Sequence, residues 1–353
     1  MKIVLVSTYT LPTPPIAYGG EIFYWNIANE LGKRGHDVTL IGAGGSQCPA
    51  NGKVLYVPST KDGQIDYTRE DWIVGTYKEV LLGADLVHDC SLDHIVAEKL
   101  RHLYGKKEIV NTINGHTYFM PRPPFNVVTG SKFWQADALK HGLKTEMIYW
   151  GVDTEFYTPG TEKEDYLLWI ARFHPDKGLD LALDLAEFLG FNLKVAGSLT
   201  FSDHQKYGKA YLERIAKIPN VEYVELPMDS THQTAKRELM RRARAFLYPV
   251  QYQECFGMVV AEAMACGTPV ITTKNGAMPE LVEHDVNGLL CESKQDFVKA
   301  ITVRLPYFEE HRNYHNGFDI WQAAREKALQ FDVKKSVTEY EALYQKVCEG
   351  GAW

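Results

Sequence analysis

Short apolar runs alternate with helically spaced stretches through most of this chain. Residues 2–7 are apolar. After a loop rich in proline and glycine (Pro12, Pro14, Pro15, Gly19, Gly20), a helical spacing runs from Glu21 to Gly32, with Ile22, Trp25, Ile27 and Leu31 available for one face. Gly35-His36-Asp37 then turns the chain into a second apolar run, Val38–Ile41. Strand, helix, strand in this order predicts a βαβ crossover and the parallel pairing of a doubly wound sheet. Further strands are predicted at Val54–Val57, Leu86–His88, Glu108–Val110 and Asn126–Val128. The pattern stops near Ile148–Asp153, and Phe156–Gly160 with the charged stretch Glu162–Asp165 reads as a linker. A second series of strands follows at Tyr166–Ile170, Leu193–Ala196, Val221–Val224, Ala245–Tyr248 and Pro269–Thr272. Beyond it, Tyr340, Leu343, Tyr344 and Val347 recur at helical spacing, and Ser336 with Glu339 has the spacing of a capping box, which predicts a docked terminal helix. The expectation is an α/β protein with one doubly wound unit over 1–157, a second over 158–333 and a helical tail over 334–353.

A length of 353 residues agrees with that division at about 150 residues per domain. The charge balance, 38 Lys+Arg against 45 Asp+Glu, argues against a nucleic-acid phosphate track and leaves room only for local phosphate-binding cations. The six cysteines are scattered without metal or redox spacing and read as reduced thiols of a cytoplasmic protein. The first apolar run is too short for a signal peptide. No run approaches the roughly 18 apolar residues of a spanning helix. Any membrane contact is therefore expected to be peripheral, at the inner face. The basic run Lys236–Arg244 falls on a predicted helix and is read as a solvated face.

Two stretches carry chemistry. In Gln253–Thr268 the carboxylates Glu254 and Glu262 stand eight positions apart across a loop-to-helix junction, and Cys255–Met258 is expected to begin the helix. Its unpaired N–H groups and dipole suit a phosphate. Glu262, about two turns on, could bond a vicinal diol such as a ribose, and Glu254 would face a sugar. Upstream, Arg172 and Lys177 in Arg172-Phe173-His174-Pro175-Asp176-Lys177-Gly178 follow a predicted strand, where ligands of open α/β sheets bind. A guanidinium with a mobile ammonium is a suitable clamp for a departing diphosphate.

The two stretches occur together, in order and about 80 residues apart, and Asn275–Val282 with Asn287–Leu290 extends them. In this the chain resembles the retaining GT-B glycosyltransferases of family 4, the group of glycogen synthase, sucrose synthase and the mannosyltransferases. The resemblance implies two Rossmann-like domains facing a cleft, with the terminal helix docking back on the first. It implies that Arg172 and Lys177 neutralise a donor diphosphate and that Glu262 holds the ribose. Glu254 would contact the sugar, and the amides of Phe256, Gly257 and Met258 would approach phosphate and sugar. Gly19 and Gly20, ahead of a helix starting near Glu21, match the family's first glycine-rich loop, and His116 matches its active-site histidine. Beside His116, Tyr118, Phe119 and Arg122 lie in an aromatic, proline-rich segment that would line an acceptor pocket.

The implied activity is transfer of a hexose from a nucleoside-diphosphate sugar to a hydroxyl of a glycan, glycolipid or small molecule, with retention. A UDP-sugar is the first expectation, with GDP- and ADP-sugars as alternatives. The chain has no Asp-x-Asp pair, so neither metal nor cofactor is expected. Two departures from the family bear on the donor: Cys255 replaces the usual small residue beside Phe256, and Glu225–Asp229 lacks a glycine expected near the nucleobase. A nicotinamide enzyme is disfavoured, because Gly42–Gln47 follows the second strand instead of the first and ends in Gln47. A catalytically inactive nucleotide-sugar-binding module and a GT-B epimerase are the alternatives left open.

Overall fold

The computed structural model describes residues 1–14, 19–58, 66, 68–113, 125–197, 202–226, 231–311 and 319–353. His116, Tyr118, Phe119 and Arg122 lie outside them. The chain divides into two compact units, Met1–Gly151 with Val333–Trp353, and Val152–Asp332.

The first unit runs β1 (Lys2–Val6), α1 (Gly19–Lys33), β2 (Asp37–Ala43), β3 (Lys53–Val57), α2 (Thr68–Leu82), β4 (Leu86–Asp89), α3 (Ile95–Tyr104), β5 (Ile109–Thr112), β6 (Val127–Thr129), α4 (Lys132–Lys140) and β7 (Thr145–Met147). Among the described residues the strands form one sheet in the order β3-β2-β1-β4-β5-β6-β7, every pair parallel. The order reverses between β1 and β4, the topological switch point of a doubly wound sheet. Val4, Val6, Ile41, Val87 and Ile109 pack in its core. Two expectations change here. The helix begins at Gly19, so Gly19 and Gly20 form its first turn and are not part of a preceding loop. Strand β7 was not predicted, because Thr145-Glu146-Met147 sits half-buried on the sheet edge and carries no apolar run.

The second unit runs β8 (Leu167–Ile170), α5 (Leu179–Leu189), β9 (Leu193–Gly197), α6 (Ser202–Ile215), β10 (Val221–Glu225), α7 (His232–Arg242), β11 (Ala245–Tyr248), α8 (Met258–Ala265), β12 (Val270–Thr273), α9 (Met278–Leu281), β13 (Gly288–Cys291), α10 (Lys294–Lys299), α11 (Leu305–His311) and α12 (Ile320–Ala328). Its sheet, again parallel, has the order β10-β9-β8-β11-β12-β13, with the switch between β8 and β11. Fully buried strands such as Leu167-Leu168-Trp169-Ile170 explain the unbroken apolar runs, since helices cover both faces of such a sheet.

The final helix, α13 (Val333–Cys348), belongs to the first unit. Its apolar stripe is buried, and two phenols from it enter the sheet: Tyr340 OH lies 2.8 Å from Thr112 Oγ1, and Tyr344 OH 2.7 Å from His88 Nδ1. His88 also meets Thr112 Oγ1 at 2.7 Å. Burial, with the nearby His94, pushes its pKa down to about 3, so the ring is a neutral relay. Arg34, just past the end of α1, reaches Lys334 O (2.7 Å) and Thr338 Oγ1 (2.9 Å). The capping box expected of Ser336 and Glu339 is not formed. The helix starts three residues earlier, and Ser336 Oγ, inside it, donates to Tyr149 O at 2.8 Å.

Candidate functional site

In the second unit, the loops leaving the carboxyl ends of β8 and β11 meet. After β8 the chain passes Arg172 and the buried Phe173, and His174 accepts the Asp176 N–H to cap a 3₁₀ turn over Pro175–Lys177. Gly178 ends the turn at φ +73°, and a Cβ there would stand 1.9 Å from Pro249 O. Gln251 N donates to Asp176 O at 2.7 Å. Only glycine lets the cation-bearing loop lie this close to the carboxylate-bearing one.

The result is a closed polar network. Lys177 Nζ donates to Tyr252 OH (2.6 Å), Tyr248 OH (3.1 Å) and Glu254 Oε2 (3.2 Å), which uses all three ammonium protons. Each phenol then donates to Glu254, Tyr252 to Oε1 at 2.6 Å and Tyr248 to Oε2 at 2.8 Å. Burial alone would raise the carboxyl's pKa, but Lys177 and the two phenols outweigh it and hold Glu254 below the usual carboxylate range. Burial and the Glu254 charge push both phenols up, so they remain protonated donors. The Glu254 backbone is fixed as well: Ala277 N donates to Glu254 O at 3.0 Å, and a Cβ on Gly276, at φ +61°, would meet Glu254 N and O at 2.3 Å. Arg172, at the edge of the network, keeps its side chain 28% exposed and bonds Asp176 Oδ2 at 3.2 Å.

The α8 helix begins at Met258, later than the predicted start at Cys255. Gly257, at φ +92°, occupies the capping position, and no side chain caps the helix. Phe256 is fully buried, its ring packed against Phe331 with centroids 5.4 Å apart, so the side chain serves the core. One turn into α8, Glu262 is 1% exposed and receives both Lys236 Nζ contacts, at 3.0 and 2.9 Å. Lys236 is therefore no part of a solvated face. It turns inward, while its neighbours Arg237, Arg241, Arg242 and Arg244 pair with Glu238, Glu164, Asp165 and Glu309.

The structure thus joins Lys177 to Glu254, sets Arg172 beside them through the Asp176 turn, and encloses Glu262 in a separate pair. Three participants escaped the sequence reading. Tyr248 was legible as a strand residue and Tyr252 as a loop residue, but their convergence on Lys177 depends on loops that meet only in the fold. Lys236 was hidden in a run of cations. The signal for it was Glu262 itself, the single polar residue of Met258-Val259-Val260-Ala261-Glu262-Ala263-Met264-Ala265, which needed a partner if buried.

The profile of the family "Glycosyl transferases group 1" matches residues 154–313, nearly all of this second unit. Residues 154–313 thus match a group 1 glycosyl transferase domain. Across the longer alignment it is 29% identical over 278 residues to an uncharacterized glycosyltransferase of Methanocaldococcus jannaschii, covering 76% of this chain and 72% of that protein. It is 31% identical over 167 residues to a D-inositol 3-phosphate glycosyltransferase of Segniliparus rotundus, covering 42% of this chain and 36% of that protein. The fold is GT-B. Anabaena HepE in complex with UDP superposes with a TM-score of 0.74 over 98% of this chain and all of that one, at 18% identity. Sucrose-phosphate synthase of Thermosynechococcus elongatus gives 0.79 over 99% of both chains, at 16% identity. Among the described residues, no helix is long and apolar enough to cross a membrane.

Proposed function

We propose that this glycosyltransferase moves a hexose, with retention and without a metal ion, from a nucleoside-diphosphate sugar to a hydroxyl of a glycan, glycolipid or small molecule. The observation that carries the reading is the Lys177–Tyr248–Tyr252–Glu254 network at the carboxyl ends of β8 and β11, flanked by Arg172 and by the uncapped start of α8. Such a place offers a diphosphate two cations and a set of backbone N–H groups. Arg172 and Lys177 neutralise the β-phosphate as it leaves, while the amides of Phe256, Gly257 and Met258 approach phosphate and sugar. Glu254, kept anionic, accepts from sugar hydroxyls, and Glu262 accepts from the ribose. A UDP-sugar is the favoured donor, with support from the UDP and UDP-glucose complexes of the Anabaena structures that share the fold.

In the proposed step, the anomeric carbon's bond to the phosphate oxygen breaks. The acceptor oxygen bonds to the same face, and the acceptor's proton passes to a phosphate oxygen. No protein nucleophile is used. The first unit supplies the acceptor side, with Gly19 and Gly20 at the start of α1 and with His116, Tyr118, Phe119 and Arg122 in residues 114–124. A panel of UDP-, GDP- and ADP-sugars screened by thermal shift, followed by product NMR with the best donor, tests the reading. The expected result is stabilisation by one nucleotide class and a product of unchanged anomeric configuration. An inverted product, or no stabilisation by any of the three, would overturn it.

A further inference from the structure

Glu262 and Lys236 form an ion pair that stability does not explain. Lys236 is 5% exposed and Glu262 1% exposed, with Nζ within 3.0 Å of both carboxylate oxygens. Removing two charges from water costs several kcal/mol per ion. Well-packed apolar residues of similar volume are often neutral or better at such a place. Every other residue of α8 is apolar, so a methionine or leucine pair would join α7 to α8 without that cost. The ammonium is also walled in, 5.5 Å from the centre of the Tyr157 ring, whose hydroxyl is fixed at 2.7 Å to Gln233 Oε1.

We propose that Lys236 is a positioning residue for donor recognition, fixing Glu262 as an anion with both oxygens oriented so that the carboxylate discriminates for the vicinal hydroxyls of a ribose. The inference rests on the donor reading above, in which Glu262 meets the ribose. Each carboxylate oxygen accepts one proton from Lys236, and the Tyr157 phenol also hydrogen-bonds the carboxylate; with two lone pairs on each oxygen, the group keeps acceptor capacity for a hydroxyl. A hydrogen bond to an ion in a place with almost no solvent is stronger than one to a neutral amide or acid. Lys236 would not touch the substrate. Its effect is on the charge and orientation of the group that does.

The test compares UDP with 2′-deoxyuridine diphosphate by calorimetry on the full chain. The wild type should prefer UDP by about tenfold or more, the worth of one charge-assisted hydrogen bond. Lys236→Met should lose most of that preference, and Lys236→Arg should retain it. In turnover, Lys236→Met should raise the donor KM and leave kcat within about twofold, since a ribose contact is the same in ground and transition states. If Lys236→Met does not fold, Lys236→Gln, which keeps a donor and removes the charge, carries the same comparison. Undiminished preference in the folded variant overturns the role of Lys236 and leaves the donor reading standing, whereas equal affinity of the wild type for the two nucleotides overturns the Glu262–ribose contact together with the role of Lys236. If the wild type binds none of UDP, GDP and ADP, the donor reading fails and this inference falls with it.

Discussion

Replacing Lys177 with methionine separates the electrostatic account of the site from a purely structural one. The substitution keeps the aliphatic stem and removes the ammonium, so Tyr248 and Tyr252 lose an acceptor role while Glu254 loses its cation. Glu254 and Lys177 have side chains 11% and 13% exposed. Breaking a buried pair from one side costs about 3–5 kcal/mol, and the two phenols that remain on the carboxylate place this site at the lower end. For a unit spanning Val152–Asp332, about 3 kcal/mol corresponds to a fall in Tm of roughly 6–12 °C. The loss should depend on pH in a defined direction. In the wild type the Glu254 pKa is lowered, so its pairing stabilises the fold above the unfolded carboxyl's ordinary value of 4.5 and is lost as pH falls through the lower folded value. Without Lys177 the balance shifts toward burial and the folded pKa rises, so the stabilisation that the pair gives at neutral pH shrinks. Melting curves by calorimetry should therefore differ most near pH 7 and converge toward pH 4. Turnover should fall by about 10²–10³ if the ammonium also stabilises a leaving phosphate. Parallel melting curves at every pH would refute the electrostatic reasoning, and wild-type turnover would refute the clamp.

Arg172→Ala should lower turnover by a similar factor, about 10²–10³, yet leave Tm nearly unchanged, because the guanidinium is partly exposed and its pair with Asp176 is worth little to stability; steady-state kinetics beside a thermal scan checks both halves. Tyr344→Phe leaves the buried His88 Nδ1 without its partner and should cost the first unit about 1–3 kcal/mol, read by urea unfolding. Glu70, buried under the loop after β4, accepts from Asp93 N at 3.0 Å and Ile95 N at 2.8 Å, and burial with the adjacent Asp89 raises its pKa to about 7. Its folded value lies above its unfolded one. Its contribution should accordingly be greatest below about pH 4.5 and decline as pH rises to 7; Glu70→Gln should flatten that slope in a pH series of melting temperatures.

Among the strands, burial explains much of what was readable, although the largely buried Gly288–Cys291 was read only as part of a motif. Lys2–Val6, Asp37–Ala43 and Leu167–Ile170 announce themselves because a parallel sheet covered on both faces demands unbroken apolar runs. Thr145–Met147 lies on an edge and needs no such run, so it passed as the end of a pattern. Helix starts at Gly19, Met258 and Val333 differed from the predicted ones because glycine freedom and tertiary contacts, not local capping chemistry, set them.

By itself the sequence determined the α/β class and two successive series of parallel strands, since apolar periodicity is a property of the chain; the return of the terminal helix and the roles expected of Arg172, Lys177, Glu254 and Glu262 came from the family resemblance. Tertiary structure alone decided what each of those charges faces. Lys177 lies 71 to 77 positions from the oxygens it bonds, and Lys236 lies 26 from Glu262. Such pairings carry no local signature, because a buried charge is matched by whatever element packs across from it, and only the packed fold selects that element.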